Sequence, residues 1–113
     1  YKYNERFSIQ NPWGITAAEK QGHTLTIKQL ASQIAGLPRE APCTFEGVDC
    51  VNITNAEILS RLSAESLIHP TDVQASYSNL AYALLGNLLS EYNGDDSYNQ
   101  TLFDLVINPL SLK

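Results

Sequence analysis

Between Leu80 and Leu89 the chain runs Leu-Ala-Tyr-Ala-Leu-Leu-Gly-Asn-Leu-Leu, in which Asn87 and the phenol tip of Tyr82 are the polar groups. A helix this apolar on nearly every side is expected in the middle of a core, so the rest of the chain must wrap it. Its polar groups crowd at the start, in Tyr77-Ser78-Asn79. A phenol, a hydroxyl and a carboxamide at the start of a buried helix sit on a rigid mount, at the end that carries a partial positive charge. Two readings of the triplet follow. In one it is a site for chemistry; in the other Ser78 or Asn79 caps the helix while Tyr77 packs and hydrogen-bonds.

The 113 residues are enough for one domain or part of one, and 43% hydrophobic against 17% charged residues is a globular composition. A formal net charge of -5 with no lysine or arginine cluster argues against nucleic acid or an anionic membrane as partner. The run from Leu80 to Gly86 is too short to span a bilayer, and Tyr1-Lys2-Tyr3-Asn4 is no signal peptide. A start other than Met and an end at Ser111-Leu112-Lys113 suggest part of a longer protein.

Cys43 and Cys50 flank a short loop, and bridging it would contribute about 2.5 kcal/mol in the chain-entropy picture. Two N-glycosylation sequons, at Asn52 (Asn52-Ile53-Thr54) and Asn99 (Asn99-Gln100-Thr101), point with that bridge to a secretory, extracellular destination. Two reduced, buried thiols in a cytosolic protein are the alternative.

Local signals divide the chain into helices and loops. The segment to Pro12 reads as extended or turn-rich, and Trp13 to His23 is a loop with room for a short helical turn. Thr26 caps a helix over Ile27 to about Ala35, with Ile27, Leu30, Ala31 and Ile34 on one face and Gly36 at its C-cap. Arg39 to Val51 is a loop, and Thr54-Asn55-Ala56-Glu57 is a capping box for a helix carrying Ile58, Leu59 and Leu62, which makes Glu57 a cap rather than an acid catalyst. His69-Pro70-Thr71-Asp72 ends that region and leads an extended stretch into Tyr77. Tyr92-Asn93-Gly94 closes the central helix, and a last helix runs from about Ser97 to Asn108 with Tyr98, Leu102, Leu105 and Val106 inward. His23 and His69 lack metal-ligand spacing, and Asp95 and Asp96, without the other calcium-loop ligands, are expected to be solvated. No cofactor or metal is expected.

Several stretches together carry a resemblance. Tyr77-Ser78-Asn79-Leu80-Ala81-Tyr82-Ala83-Leu84-Leu85-Gly86 is similar to the Tyr-x-Asn motif and following helix of serine β-lactamase and penicillin-binding-protein-like domains, on the class C β-lactamase and D-Ala-D-Ala carboxypeptidase side. Tyr3-x-x-x-Phe7-x-Ile9-x-Asn11-Pro12 resembles the segment that follows the nucleophile helix there, with Glu5 in place of a proline. Leu25 to Arg39 resembles Ile-Thr-Leu-Arg-x-Leu-x-Ser-His-x-Ser-Gly-Leu-Pro, with Gln33 at the usual His and Ala35 at the usual second Ser. Pro70 stands one residue further from the tyrosine than the family's Pro-Gly and lacks the glycine, so a reshaped approach to the motif is expected. Pro109-Leu110-Ser111-Leu112 resembles Pro-Leu-Gly-Met. Lys20-Gln21-Gly22 looks like the third family motif, Lys-Thr-Gly, but stands far from where that core strand belongs.

The resemblance implies a mainly α chain: residues 1–113 would be the helical lobe of one β-lactamase/transpeptidase-like α/β domain, with the antiparallel sheet largely elsewhere and no second domain. It implies acyl transfer on a β-lactam, a D-Ala peptide or an ester, through a serine acyl-enzyme. A Ser-x-x-Lys motif would supply the nucleophile, Tyr77 would relay protons, and Asn79 would donate its amide to the substrate carbonyl, while Ser78 fills the variable middle position. A phenol titrates near 10 in water, so relay near neutrality requires the motif lysines beside it. No serine in this chain has a lysine three residues on. The nucleophile would therefore precede Tyr1, the third motif would follow Lys113, and the chain alone is expected to be inactive. Its partners would be the rest of its domain and a small-molecule or peptide acyl substrate. The alternative is a catalytically dead module of the same family, used for binding or scaffolding.

Overall fold

The computed structural model describes residues 9–21, 25–42, 55–95 and 97–112. Among them the chain is helical and holds no strand; an isolated parallel bridge joins Gln10 to Ser66. Five α-helices follow in order: α1 (Ala17–Gln21), α2 (Ile27–Ala31), α3 (Asn55–Leu62), α4 (Asn79–Asn93) and α5 (Tyr98–Leu102). A π-helical turn, Phe103–Ile107, continues α5.

Side-chain caps set the helix starts. Thr16 and Glu19 form a reciprocal box at α1: the Thr16 hydroxyl accepts from the Glu19 N–H, and the Glu19 carboxylate accepts from the amides of Ile15 (2.8 Å) and Thr16 (3.0 Å). Those two amides hold the Glu19 carboxyl below the ordinary carboxylate value. Thr26 and Gln29 repeat the box at α2. Ser97 caps α5, accepting from the Gln100 amide. The proposed box at Thr54 lies outside the described residues. Within α3, Glu57 pairs with Arg61 one turn on, at 2.7 Å.

Helix α2 is shorter than its periodicity suggests. It stops at Ser32, and Gln33 turns into the left-handed region at φ 62. Gly36, also left-handed at φ 73, is not a cap; a Cβ there would lie 2.2 Å from the carbonyl oxygen of His69, so glycine is required by close approach. The consequence is a non-helical rail over residues 33–39, against which residues 68–80 are laid. Backbone amides of Ile68, Asp72, Ser76 and Leu80 donate to the carbonyls of Gly36, Ile34, Gln33 and Arg39 at 2.8, 3.0, 2.8 and 3.2 Å. Along this approach Asp72 takes φ 63, a conformation that Asp tolerates better than most residues.

The core is one cluster: Ile9, Leu25, Leu30, Ala35, Leu37, Leu62, Leu67, Leu80, Ala81, Leu84 and Leu88, with Ala41, Ile58 and Leu59 packed at its edge. Each fully buried leucine contributes about 1.5–3 kcal/mol of transfer free energy, and together they fix α4 against α2 and the rail. Helix α4 is buried on one face, not all round. Leu80, Ala81, Leu84 and Leu88 point inward, whereas Tyr82, Ala83 and Leu89 are exposed among the described residues. The last helix also departs from expectation: Thr101 is its buried residue, and Tyr98, Leu105 and Val106 are exposed. It packs on α4 where Gly86 makes room, since a Cβ on Gly86 would come 3.1 Å from the Tyr98 ring. Asp95 is not simply solvated. Its carboxylate accepts from the Thr101 hydroxyl (2.6 Å) and the Asn93 amide (2.7 Å), which lower its pKa.

No helix among the described residues is long and apolar enough to cross a membrane.

Candidate functional site

Ser78 anchors the start of α4. Its hydroxyl accepts from the Ala81 N–H at 3.0 Å as the helix N-cap and donates to the Pro38 carbonyl at 2.7 Å, so both its lone-pair and proton roles are satisfied in a buried setting. The capping role thus belongs to the middle residue of the triplet. Tyr77 and Asn79, on either side, are free to face outward.

They do so at a shared cavity of about 340 Å³, lined by Gln33, Tyr77, Ser78, Asn79 and Tyr82. Tyr77 is 64% exposed, with the Arg39 guanidinium over its ring at 5.6 Å from the centroid. Asn79, the first residue of α4, donates from Nδ2 to Glu40 Oε1 at 2.8 Å. Tyr82, one turn into α4, closes the side of the cavity and donates its hydroxyl to the Ala31 carbonyl at 3.0 Å, tying α4 to the end of α2. The residue after the rail's Pro38 and the next one, Arg39 and Glu40, therefore each touch one of the two outward-facing motif side chains.

Gln33 is a site residue that sequence reasoning registered only as a departure from a pattern. Its carboxamide accepts from the Ser78 N–H at 2.7 Å and donates to the Ser78 carbonyl at 3.3 Å. The signal in the sequence was a glutamine at the usual His position, just past the end of α2; what it reaches lies 45 residues on.

The remaining sequence-derived sites do not join this cavity. Cys43, Cys50, Asn52 and His23 lie outside the described residues. Asn99 is exposed in α5, and the Thr101 hydroxyl of its sequon is buried on Asp95. His69 is buried with Nδ1 donating to the Pro70 carbonyl at 2.8 Å, and Nε2 has no partner among the described residues. Lys20 falls in α1 rather than on a strand. Among the described residues no three metal-ligating side chains converge.

Comparison with known proteins adds the family. A family model described as Beta-lactamase matches residues 9–113. The chain is 31% identical over 114 aligned positions to Putative beta-lactamase-like 1 of Homo sapiens, covering 98% of this chain and 21% of that protein. It is 34% identical to Beta-lactamase-like protein 2 of Dictyostelium discoideum, covering 98% of this chain and 19% of that protein. It is 32% identical to the D-alanyl-D-alanine-carboxypeptidase/endopeptidase AmpH of Escherichia coli K12, covering 99% of this chain and 29% of that protein. The chain thus spans less than a third of the length of each of these relatives. A capped Tyr-Ser-Asn triplet heading a half-buried helix, and a family match over almost all of the sequence, lead to one conclusion: this chain belongs to the serine β-lactamase and penicillin-binding-protein-like family, as a mainly helical part of its fold.

Proposed function

We propose that this chain supplies the Tyr-x-Asn element of a serine hydrolase that transfers acyl groups through a covalent serine ester. The observation that carries the reading is the outward presentation of Tyr77 and Asn79 on one cavity by a buried Ser78 cap. In this reading Tyr77 relays the proton between the serine and the leaving group, and Asn79 donates to the carbonyl on the acyl side of the substrate. The serine and its lysine come from outside the 113 residues, since no Ser-x-x-Lys occurs within them. Substrates are β-lactams, peptides ending in D-Ala, or esters; the similarity to AmpH supports the peptide among these. The cysteine pair and the two sequons support a secretory route, which mass spectrometry of the unreduced, secreted protein tests through a Cys43–Cys50 cross-link and glycans at Asn52 and Asn99.

The functional test uses the full-length protein, a fluorescent penicillin, a chromogenic cephalosporin, a D-Ala-D-Ala peptide and a short-chain ester. Covalent labelling of a serine outside this chain, with turnover of at least one substrate, is expected. Labelling of a serine within the chain would overturn the assignment of the motif, and absence of both labelling and turnover would favour a catalytically dead binding module.

A further inference from the structure

Tyr77 is an exposed side chain on a coil segment, yet a proton relay must be held within a fraction of an ångström of its working position. Beside the Ser78 cap, it is held by one residue 44 positions earlier. Gln33 takes φ 62, uncommon for a residue with a side chain, and from there both its backbone and its carboxamide face the segment entering α4. Its carbonyl accepts from the Ser76 N–H at 2.8 Å; its side-chain oxygen accepts from the Ser78 N–H at 2.7 Å; its side-chain nitrogen donates to the Ser78 carbonyl at 3.3 Å. These bonds fix the Ala75–Ser76 peptide ahead of Tyr77 and the two peptide groups that flank Ser78. A carboxamide suits the task because one planar group offers an acceptor and a donor to the N–H and C=O of one residue, as a neighbouring strand would.

We infer that Gln33 is a positioning residue for the Tyr77-Ser78-Asn79 triplet: it clamps the Ser78 backbone so that the phenol and the carboxamide face the cavity together. Its part in catalysis rests on the function proposed above. Gln33 also lines the cavity, so the clamp and the space the substrate would enter share a wall. An alanine at this position bears the left-handed φ no worse than glutamine does, so Gln33→Ala isolates the carboxamide. Gln33→Glu keeps the acceptor for Ser78 N–H, but as a carboxylate it faces the Ser78 carbonyl with no proton to donate. Protonation restores that donor.

The experiment measures kcat and KM of the full-length wild-type, Gln33→Ala and Gln33→Glu proteins between about pH 4 and 8, with backbone amide exchange at Ser78 and Leu84. Gln33→Ala is expected to lower kcat by about ten- to a hundredfold, the order of effect of a small misplacement, with KM changing far less. The kcat of Gln33→Glu relative to wild type is expected to rise as pH falls through the carboxylic acid range, near about pH 4–5. Exchange at Ser78 should quicken about tenfold in Gln33→Ala, the effect of one lost hydrogen bond, while Leu84 in the core is unchanged. A Gln33→Ala protein with wild-type kcat, or a Gln33→Glu ratio flat with pH, would overturn the inference while leaving the hydrolase reading intact. If the wild type turns over no acyl substrate, the hydrolase reading falls and exchange alone decides: quickened exchange at Ser78 upholds the clamp, and unchanged exchange refutes it.

Discussion

Asn79 Nδ2 donates to Glu40 Oε1 at 2.8 Å, so the amide proposed to greet the substrate carbonyl is held by a carboxylate two residues past Pro38. That carboxylate is exposed and also lies 3.4 Å from Arg39, so the contact is a solvated one of small worth. A substrate carbonyl has to displace it. Glu40→Ala is therefore expected to lower KM, by about tenfold at most, with little change in kcat. Asn79→Ala should raise KM by a similar factor. Because Ser78 and not Asn79 caps α4, Asn79→Ala should scarcely move the melting temperature. Steady-state kinetics on both variants checks the pair, and an unchanged KM in Asn79→Ala would remove Asn79 from substrate binding.

Tyr77→Phe keeps the ring under Arg39 and removes only the hydroxyl. Since that residue is mostly exposed, stability should change by no more than about 1 kcal/mol. Turnover should fall much further, by on the order of 10²–10⁴ in kcat, the usual worth of acid–base assistance. Chemical denaturation and kinetics of the full-length variant test the separation, and a fully active Tyr77→Phe protein would end the proton-relay assignment.

Ser78→Ala should show the opposite balance. It leaves the Ala81 N–H and the Pro38 carbonyl without their partner in a buried place, at a cost of about 1–3 kcal/mol. The melting temperature should drop clearly, and kcat should fall with it as the helix start loosens. A Ser78→Ala protein with unchanged stability would mean that water replaces both bonds.

Acid should loosen the turn between α4 and α5. Thr101 and Asn93 donate to the Asp95 carboxylate and lower its pKa from the ordinary 3.8. A lowered folded-state value means that the carboxylate's contribution is fully present above the unfolded value, and that it is lost as pH falls through the lowered folded value. Asp95→Ala should therefore melt slightly below wild type at neutral pH, with the difference closing under strongly acidic conditions. Thermal melts of both proteins across that range check the sign.

Contacts within one helical turn are the part of the fold that residue order made legible. Thr26 with Gln29, Ser78 with the Ala81 amide, and Ser97 with the Gln100 amide are all bonds across three residues, so spacing places three helix starts to within a residue, while the choice of Ser78 over Asn79 as the cap of α4 came with its folded contacts. Gly94, at φ 77, ends α4 for the same local reason. The Tyr-x-Asn pattern also placed the candidate site, because the motif and the helix behind it are contiguous. The end of α2, by contrast, is set by contacts between segments far apart in the chain. The periodicity through Ile34 favours a longer helix, but Gln33 gains three bonds to Ser76 and Ser78 by leaving it, and those partners are not neighbours in the chain. The open face of α4 was hidden for a related reason: hydrophobicity says that a face can be buried, not that another element is there to cover it. The partners of Asn79 and of Gly86 belong to the same class, since Glu40 and the Tyr98 ring reach them only after the chain has folded back on itself.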